Sequence, residues 1–169
     1  MSTLIANTLQ GINTVKYDAS TTAMTIDSTG RILTPARPAF RAHKTDGNVS
    51  ATNTYIPNVC AFNVGNHFST TTGKFTCPIA GNYVFYANIL TATNQEENDL
   101  SLYLNGTGTN DRLVRTRVDN GGSSASYATA NIHFVGSFSA NDEVFFRVTD
   151  GEFFGTDRTW AQIGGYLLG

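Results

Sequence analysis

The sequence predicts an all-β protein, an antiparallel two-sheet domain of sandwich or jelly-roll type behind an extended N-terminal arm. Three observations carry this. Only 14% of residues are charged, against about a quarter in ordinary globular domains, and Gly, Ser, Thr and Asn are abundant instead. Short segments rich in β-branched and aromatic residues recur at close intervals, with Gly, Asn and Asp between them. No segment sustains a helical period, and no internal repeat is visible. With 169 residues the chain suits one domain and an appendage, and its aromatics argue against disorder in the body.

Residues 1–36 form the arm, and residues 37–169 the main domain. The arm holds three short apolar pieces: Thr3-Leu4-Ile5-Ala6, Ala23-Met24-Thr25-Ile26 and Arg31-Ile32-Leu33. Asp27-Ser28-Thr29-Gly30 reads as a turn between the last two. No piece is large enough to build a core. Leu4, Ile5, Ile26, Ile32 and Leu33 are therefore expected to be buried against a partner, either neighbouring arms or the surface of a larger particle. Pro35 and Pro38 bracket a stiff connector into the main domain.

Strands are predicted near 38–43, 53–57, 59–64, 73–78, 82–92, 99–105, 111–119, 126–138, 143–149 and 158–168. The strand over 73–78 ends at Pro78, which cannot donate to a central ladder, and Ala80-Gly81-Asn82 reads as a turn. Some strands alternate. Leu100, Leu102 and Leu104 oppose Asp99, Ser101 and Asn105, with Tyr103 an exception. Val144, Phe146 and Val148 oppose Glu143 and Arg147, with Phe145 an exception. Along 111–119, Arg115 and Arg117 oppose Val114, Thr116 and Val118, while Leu113 falls out of step. Such strands bury one face and wet the other. The expected core comprises Phe68, Phe75, Tyr83, Phe85, Leu102, Ile132, Phe134, Phe146 and Leu167.

Three strands lack a wet face: 82–92, 126–138 and 158–168. Their second faces carry Val84 and Tyr86, then Tyr127, Thr129 and His133, then Tyr166. In a two-sheet domain, that second face is buried only by another molecule or an added segment.

The stretch NVGNHFSTTTGKFTCPIAGNYVFYANI, from Asn63 to Ile89, spaces Phe68, Phe75, Gly81, Tyr83 and Phe85 in a pattern that resembles the signature of the complement-one-q globular-head (tumour-necrosis-factor-like) family. The chain departs from the pattern at Pro57 and Ala87, where aromatics are expected. Trp160-Ala161-Gln162-Ile163-Gly164-Gly165-Tyr166-Leu167-Leu168 resembles that family's last strand. The resemblance covers residues 37–169. It implies a jelly roll and a homotrimer that packs one sheet around its axis. Val84, Tyr86, Tyr127, Thr129, His133 and Tyr166 are then the expected trimer-interface residues.

The segment AMTIDSTGRILTPARPAF resembles the N-terminal segments of small virion structural proteins of tailed phages. That implies a virion component, assembled in the host cytoplasm, whose arm docks to other virion proteins. Its jelly roll would be a capsid decoration, a head fibre or a tail-fibre tip contacting a host-surface glycan or protein. The alternative is a free lectin-like or protein-binding module of a bacterium. An enzyme acting on surface polysaccharide ranks third.

Catalytic and cofactor chemistry is scarce. His43, His67 and His133 match no metal-ligand spacing. No nucleophile elbow, phosphate loop or metalloprotease helix occurs. The acidic stretch Gln95-Glu96-Glu97-Asn98-Asp99, with Asp142-Glu143 and Asp150-Gly151-Glu152, offers oxygen atoms of the kind calcium takes, and some members of the resembling family bind calcium. No ligand loop of recognisable spacing is present, so solvated turn residues are expected. The net charge of -2 argues against nucleic acid as a partner. Arg112, Arg115 and Arg117 are expected on a solvated strand face. No apolar run is long enough for membrane insertion. The start MSTLIANTLQG lacks the basic and apolar regions of a secretory signal. Cys60 and Cys77 are accordingly expected to be reduced, a disulfide being the alternative.

Overall fold

A computed structural model describes residues 13–20, 22–92, 97–119 and 127–168. The chain divides into two units, Met1–Arg37 and Pro38–Gly169.

In the first unit two of the apolar pieces become strands of an antiparallel meander, β2 (Thr22–Ile26) and β3 (Ile32–Leu33), and β1 (Thr14–Lys16), not expected from the sequence, pairs with β2; the piece at 3–6 lies outside the described residues. The predicted turn at Asp27 joins β2 to β3. Asp27 Oδ1 accepts from the Thr29 and Arg31 backbone N–H groups at 2.9 and 3.0 Å, and Arg31 Nε donates to Oδ2 at 2.6 Å. Gly30, at φ +83°, supplies the left-handed residue that closes the turn. The Thr29 hydroxyl, with these Arg31 bonds, holds the Asp27 carboxyl down to about 2. Ile26 is half-buried, whereas Ile32 and Leu33 are exposed. Leu4 and Ile5 lie outside the described residues.

The second unit is the jelly roll. Its strands, among the described residues, are β4 (Ala39–His43), β5 (Val49–Ser50), β6 (Val59–Val64), β7 (Lys74–Thr76), β8 (Gly81–Leu90), β9 (Asn98–Leu104), β10 (Arg112–Val118), β11 (Thr129–Phe138), β12 (Glu143–Asp150), β13 (Glu152–Phe153) and β14 (Ala161–Leu167). One sheet runs β11-β8-β14-β4-β6 and the other β10-β9-β12-β7, with antiparallel neighbours throughout. A two-stranded pair, β13-β5, accompanies them.

Side-chain alternation sorts the two faces of each sheet. On β8, Tyr83, Phe85, Ala87 and Ile89 point to the core. Leu100 and Leu102 of β9 and Val144, Phe146 and Val148 of β12 close it from the other sheet. The aromatics of the Asn63–Ile89 stretch form one cluster. Phe40 stacks on Phe68, centroids 4.3 Å apart, and on Phe75 at 5.2 Å. Phe75 meets Tyr83 and Phe85 edge-on at 5.9 and 5.6 Å. Their spacing along the chain is thus the spacing of a single packed cluster across strands, worth more than area burial alone.

Eight of the nine expected core residues are buried; Phe134 is half-buried. It sits on β11, the edge of its sheet, where one side has no neighbouring strand to cover it. The segment 53–57 is not a strand. Thr54 makes a single bridge to Arg147, and the regular pairing lies instead in β5 and β13. Two-residue strands are too short to show a period. Gly81 and Asn82, expected in a turn, open β8 and pair with Phe138 and Ser137. Leu113 is out of step because the β10 register shifts between Arg112 and Val114, a bulge that places an extra residue against β9.

Candidate functional site

The outer faces of the two sheets differ in chemistry. The outer face of the four-stranded sheet is charged. Lys74 Nζ sits 2.6 Å from Glu143, and Arg117 Nη1 sits 2.8 Å from Glu97. Asp99, expected on a wet face, is only 2% exposed, because Arg115 and Arg117 close over it. Burial alone would raise its pKa. The hydrogen bonds and charge of Arg115 and Arg117 outweigh that and hold it below the ordinary carboxylate value. The arginines of β10 thus do more than solvate a strand: two of them neutralise a buried acid.

These contacts also bear on calcium. Glu97 and Asp99 point their oxygens at arginines. Asp142 accepts from the Ser139 N–H and from Asn105 Nδ2, and Asp150 accepts from the Gly151 N–H. Among the described residues, no three of these carboxylates gather to form the oxygen cage that calcium takes.

The outer face of the five-stranded sheet is different. None of its five strands contains Asp or Glu. Strand register builds rows across it. In one row, Tyr86 lies between His133 of β11 and Gly164 of β14, and Gly164 pairs in turn with Arg41, which pairs with Phe62. The Tyr86 and His133 rings stack, 6.1 Å apart and 20° from parallel. In the next row, Val84 lies between Val135 and Tyr166. Asn88 Nδ2 donates to Asn131 Oδ1 at 2.8 Å. Phe62 is 48% exposed and Val135 is 61% exposed, so large apolar surface faces outward here. Burial pushes the Tyr86 phenol up, against the pull of the Arg41 charge.

The structure therefore brings Val84, Tyr86, Thr129, His133 and Tyr166 to one face. Tyr127 lies just before β11, exposed, with its ring edge-on to Phe154 at 5.7 Å. Sequence reasoning missed Phe62 and Arg41 as members of the face. The register between β4 and β6 shifts between Arg41 and Ala42, so the β6 sequence VCAFNV shows no alternation to read.

His67 packs edge-on against Phe75 at 6.3 Å. Cys60 and Cys77 are free thiols. Cys60 lies near the Phe62 carbonyl, Sγ to O 3.1 Å. Burial and the Asp142 charge push the Cys77 thiol up to about 12, which keeps it protonated and unreactive.

Two antiparallel sheets closed over one aromatic core, one outer face laced with ion pairs and the other free of acids and partly apolar, define a jelly-roll module of assembly or binding type. The C1q domain family model matches residues 39–168, and the chain belongs to that family. It is similar to Caprin-2 of Danio rerio, 30% identical over 141 residues, which span 80% of this chain and 14% of that protein. It is also similar to complement C1q tumor necrosis factor-related protein 3 of Mus musculus, 29% identical over 106 residues, 63% of this chain and 41% of that protein. The chain thus spans less than half the length of either relative. Among solved structures, the globular domain of zebrafish complement 1qA protein superposes with a TM-score of 0.63 at 16% identity, covering 79% of this chain and 98% of that one. That likeness is one of fold.

Proposed function

We propose that the protein is a homotrimeric, non-enzymatic binding module. It assembles through the outer face of the five-stranded sheet and offers its remaining surface to a protein partner. The observation that carries this reading is the composition of that face. It holds no acid, stacks Tyr86 on His133, and leaves Phe62, Val135 and Tyr166 partly exposed. Obligate homo-oligomer interfaces are enriched in aromatic and apolar groups and depleted in charge at their centre. The opposite sheet carries its ion pairs outward, as a solvent-facing surface does.

Family membership supports a free protein-binding module ahead of a virion component. The family match starts at residue 39, beyond most of the segment that resembles phage proteins. Within this reading, Ile26, Ile32 and Leu33 of the meander pack against the same unit of neighbouring copies.

Sedimentation equilibrium of the full chain tests the assembly. The expected mass is three times that of one chain. Tyr86→Glu puts a charge into the centre of the face and is expected to give a folded monomer or weakened trimer. A wild-type chain that sediments as a monomer at micromolar concentration overturns the proposal.

A further inference from the structure

Arg41, His43, Ala61, Arg158, Thr159 and Gln162 line a cavity of about 270 Å³. Arg41 and His43 come from β4, Gln162 from β14, and Arg158 and Thr159 from the turn that leads into β14. Ligand pockets commonly measure roughly 300–1,000 Å³, so this one is sized for a single small group. Its chemistry is one-sided. The lining offers two guanidinium groups, an imidazole, a hydroxyl and an amide, and no carboxylate.

Some of the donors are committed and some are not. Arg41 Nε and Nη2 donate to Gln162 Oε1 at 3.2 and 2.7 Å. That contact orients both side chains and leaves the Arg41 Nη1 hydrogens and the Gln162 amide hydrogens free to donate. The acid nearest in sequence, Asp157, is not in the lining; its carboxylate accepts from the Thr159 N–H at 2.6 Å and from the Thr159 hydroxyl, and it feels the Arg158 charge. None of the three strands that line the cavity, β4, β6 and β14, contains an acid. With Arg41 and Arg158 both in a lining that holds no carboxylate, an anion there gains charge-assisted hydrogen bonds.

We propose that this cavity is an oxyanion site, which takes a phosphate, a sulfate or the carboxylate of an acidic sugar. Arg41 and Arg158 supply the charge, while the Gln162 amide supplies a neutral donor. All six residues belong to one chain, but Arg41 and Gln162 also lie on the face through which the proposed trimer assembles, so anion binding and assembly are read separately.

Isothermal titration calorimetry on the full chain tests it, with inorganic phosphate, sulfate and glucuronate as separate probes at matched ionic strength. Saturable binding of at least one probe is expected. Arg158→Gln, a change in an exposed turn, should weaken it about tenfold, since hydrogen bonds to charged groups are worth about 1.5–3 kcal/mol. Arg41→Gln should do the same, and Arg37→Gln, outside the cavity, should change nothing. Tighter binding of glucuronate assigns the site to an acidic sugar, and tighter binding of phosphate or sulfate to a free anion; either result upholds it. No saturable heat with any probe overturns the proposal, as does unchanged affinity in both cavity variants with thermal unfolding like that of the wild type. Sedimentation of the same samples reads assembly separately: a monomer that binds anion upholds this site while overturning the trimer.

Discussion

Tyr103 and Phe145 lie opposite each other on β9 and β12 and stack, ring centroids 5.8 Å apart and 15° from parallel. They sit on the outer side of the four-stranded sheet, yet they are 1% and 2% exposed. Cationic side chains cover them. Lys74 Nζ lies 5.3 Å from the Phe145 centroid, and the Arg112 and Arg147 guanidinium groups lie 5.6 and 5.9 Å from that of Tyr103. The aliphatic stems shield the rings while the charged heads reach water. Each aromatic breaks the alternation of its own strand. Together they are one cross-strand pair, which no single strand's pattern reveals.

Phe145→Ala should therefore behave as a core truncation, costing about 3 kcal/mol in urea unfolding followed by circular dichroism. A double-mutant cycle with Tyr103→Ala should show a coupling of about 1 kcal/mol. Additive losses would show that the stack contributes nothing beyond burial.

Asp99 gives the protein an acid-sensitive element. Its folded pKa is depressed relative to an unfolded value of about 3.9. Its contribution is therefore complete above about pH 4 and is lost as pH falls through the folded value. Asp99→Asn should cost about 1–3 kcal/mol at neutral pH, less than for a fully buried pair because Arg115 and Arg117 are partly exposed. Below about pH 4 the wild type should lose stability more steeply than the variant. Parallel pH profiles would remove Asp99 from the acid response.

Asn63 acts as a substitute strand. Its Nδ2 donates to the Phe68 carbonyl at 2.8 Å and its Oδ1 accepts from the Phe68 N–H at 3.1 Å. Phe68 is buried, so its backbone groups have little water to turn to. Asn63→Ala should cost about 1–3 kcal/mol, and hydrogen exchange at the Phe68 amide should accelerate. Unchanged protection of that amide would mean another acceptor replaces the side chain.

Much of this was legible in the sequence, for a physical reason. Period-two alternation survives wherever a strand is long and regular, so the faces of β8, β11 and β14 sort as read. The misses are of another kind. Asp99 reads as a wet acid because its partners lie on a separate strand, β10. The Arg41–Gln162 contact joins residues 121 positions apart, so the cavity has no local signature. Phe62 is hidden by the register shift beside it. The pattern of one strand reports which face a residue takes, and not what the neighbouring strand places against it.

Gly164 and Gly165 test the division of faces most directly, because adjacent residues on β14 serve opposite sides of the same sheet. A Cβ on Gly165 would lie 2.5 Å from Phe85 Cδ1 and 3.0 Å from Phe40 Cε1, inside the core. A Cβ on Gly164 would overlap the Tyr86 hydroxyl on the outer face. Gly165→Ala should therefore overpack the core and cost about 1–3 kcal/mol, with assembly of the folded fraction unchanged. Gly164→Ala should displace the Tyr86 ring from His133 and weaken self-association, with a smaller effect on unfolding. Urea unfolding and sedimentation of both variants separate the two outcomes. If Gly164→Ala lowers stability as much as Gly165→Ala and leaves association intact, the Tyr86 face is not where copies of this chain meet.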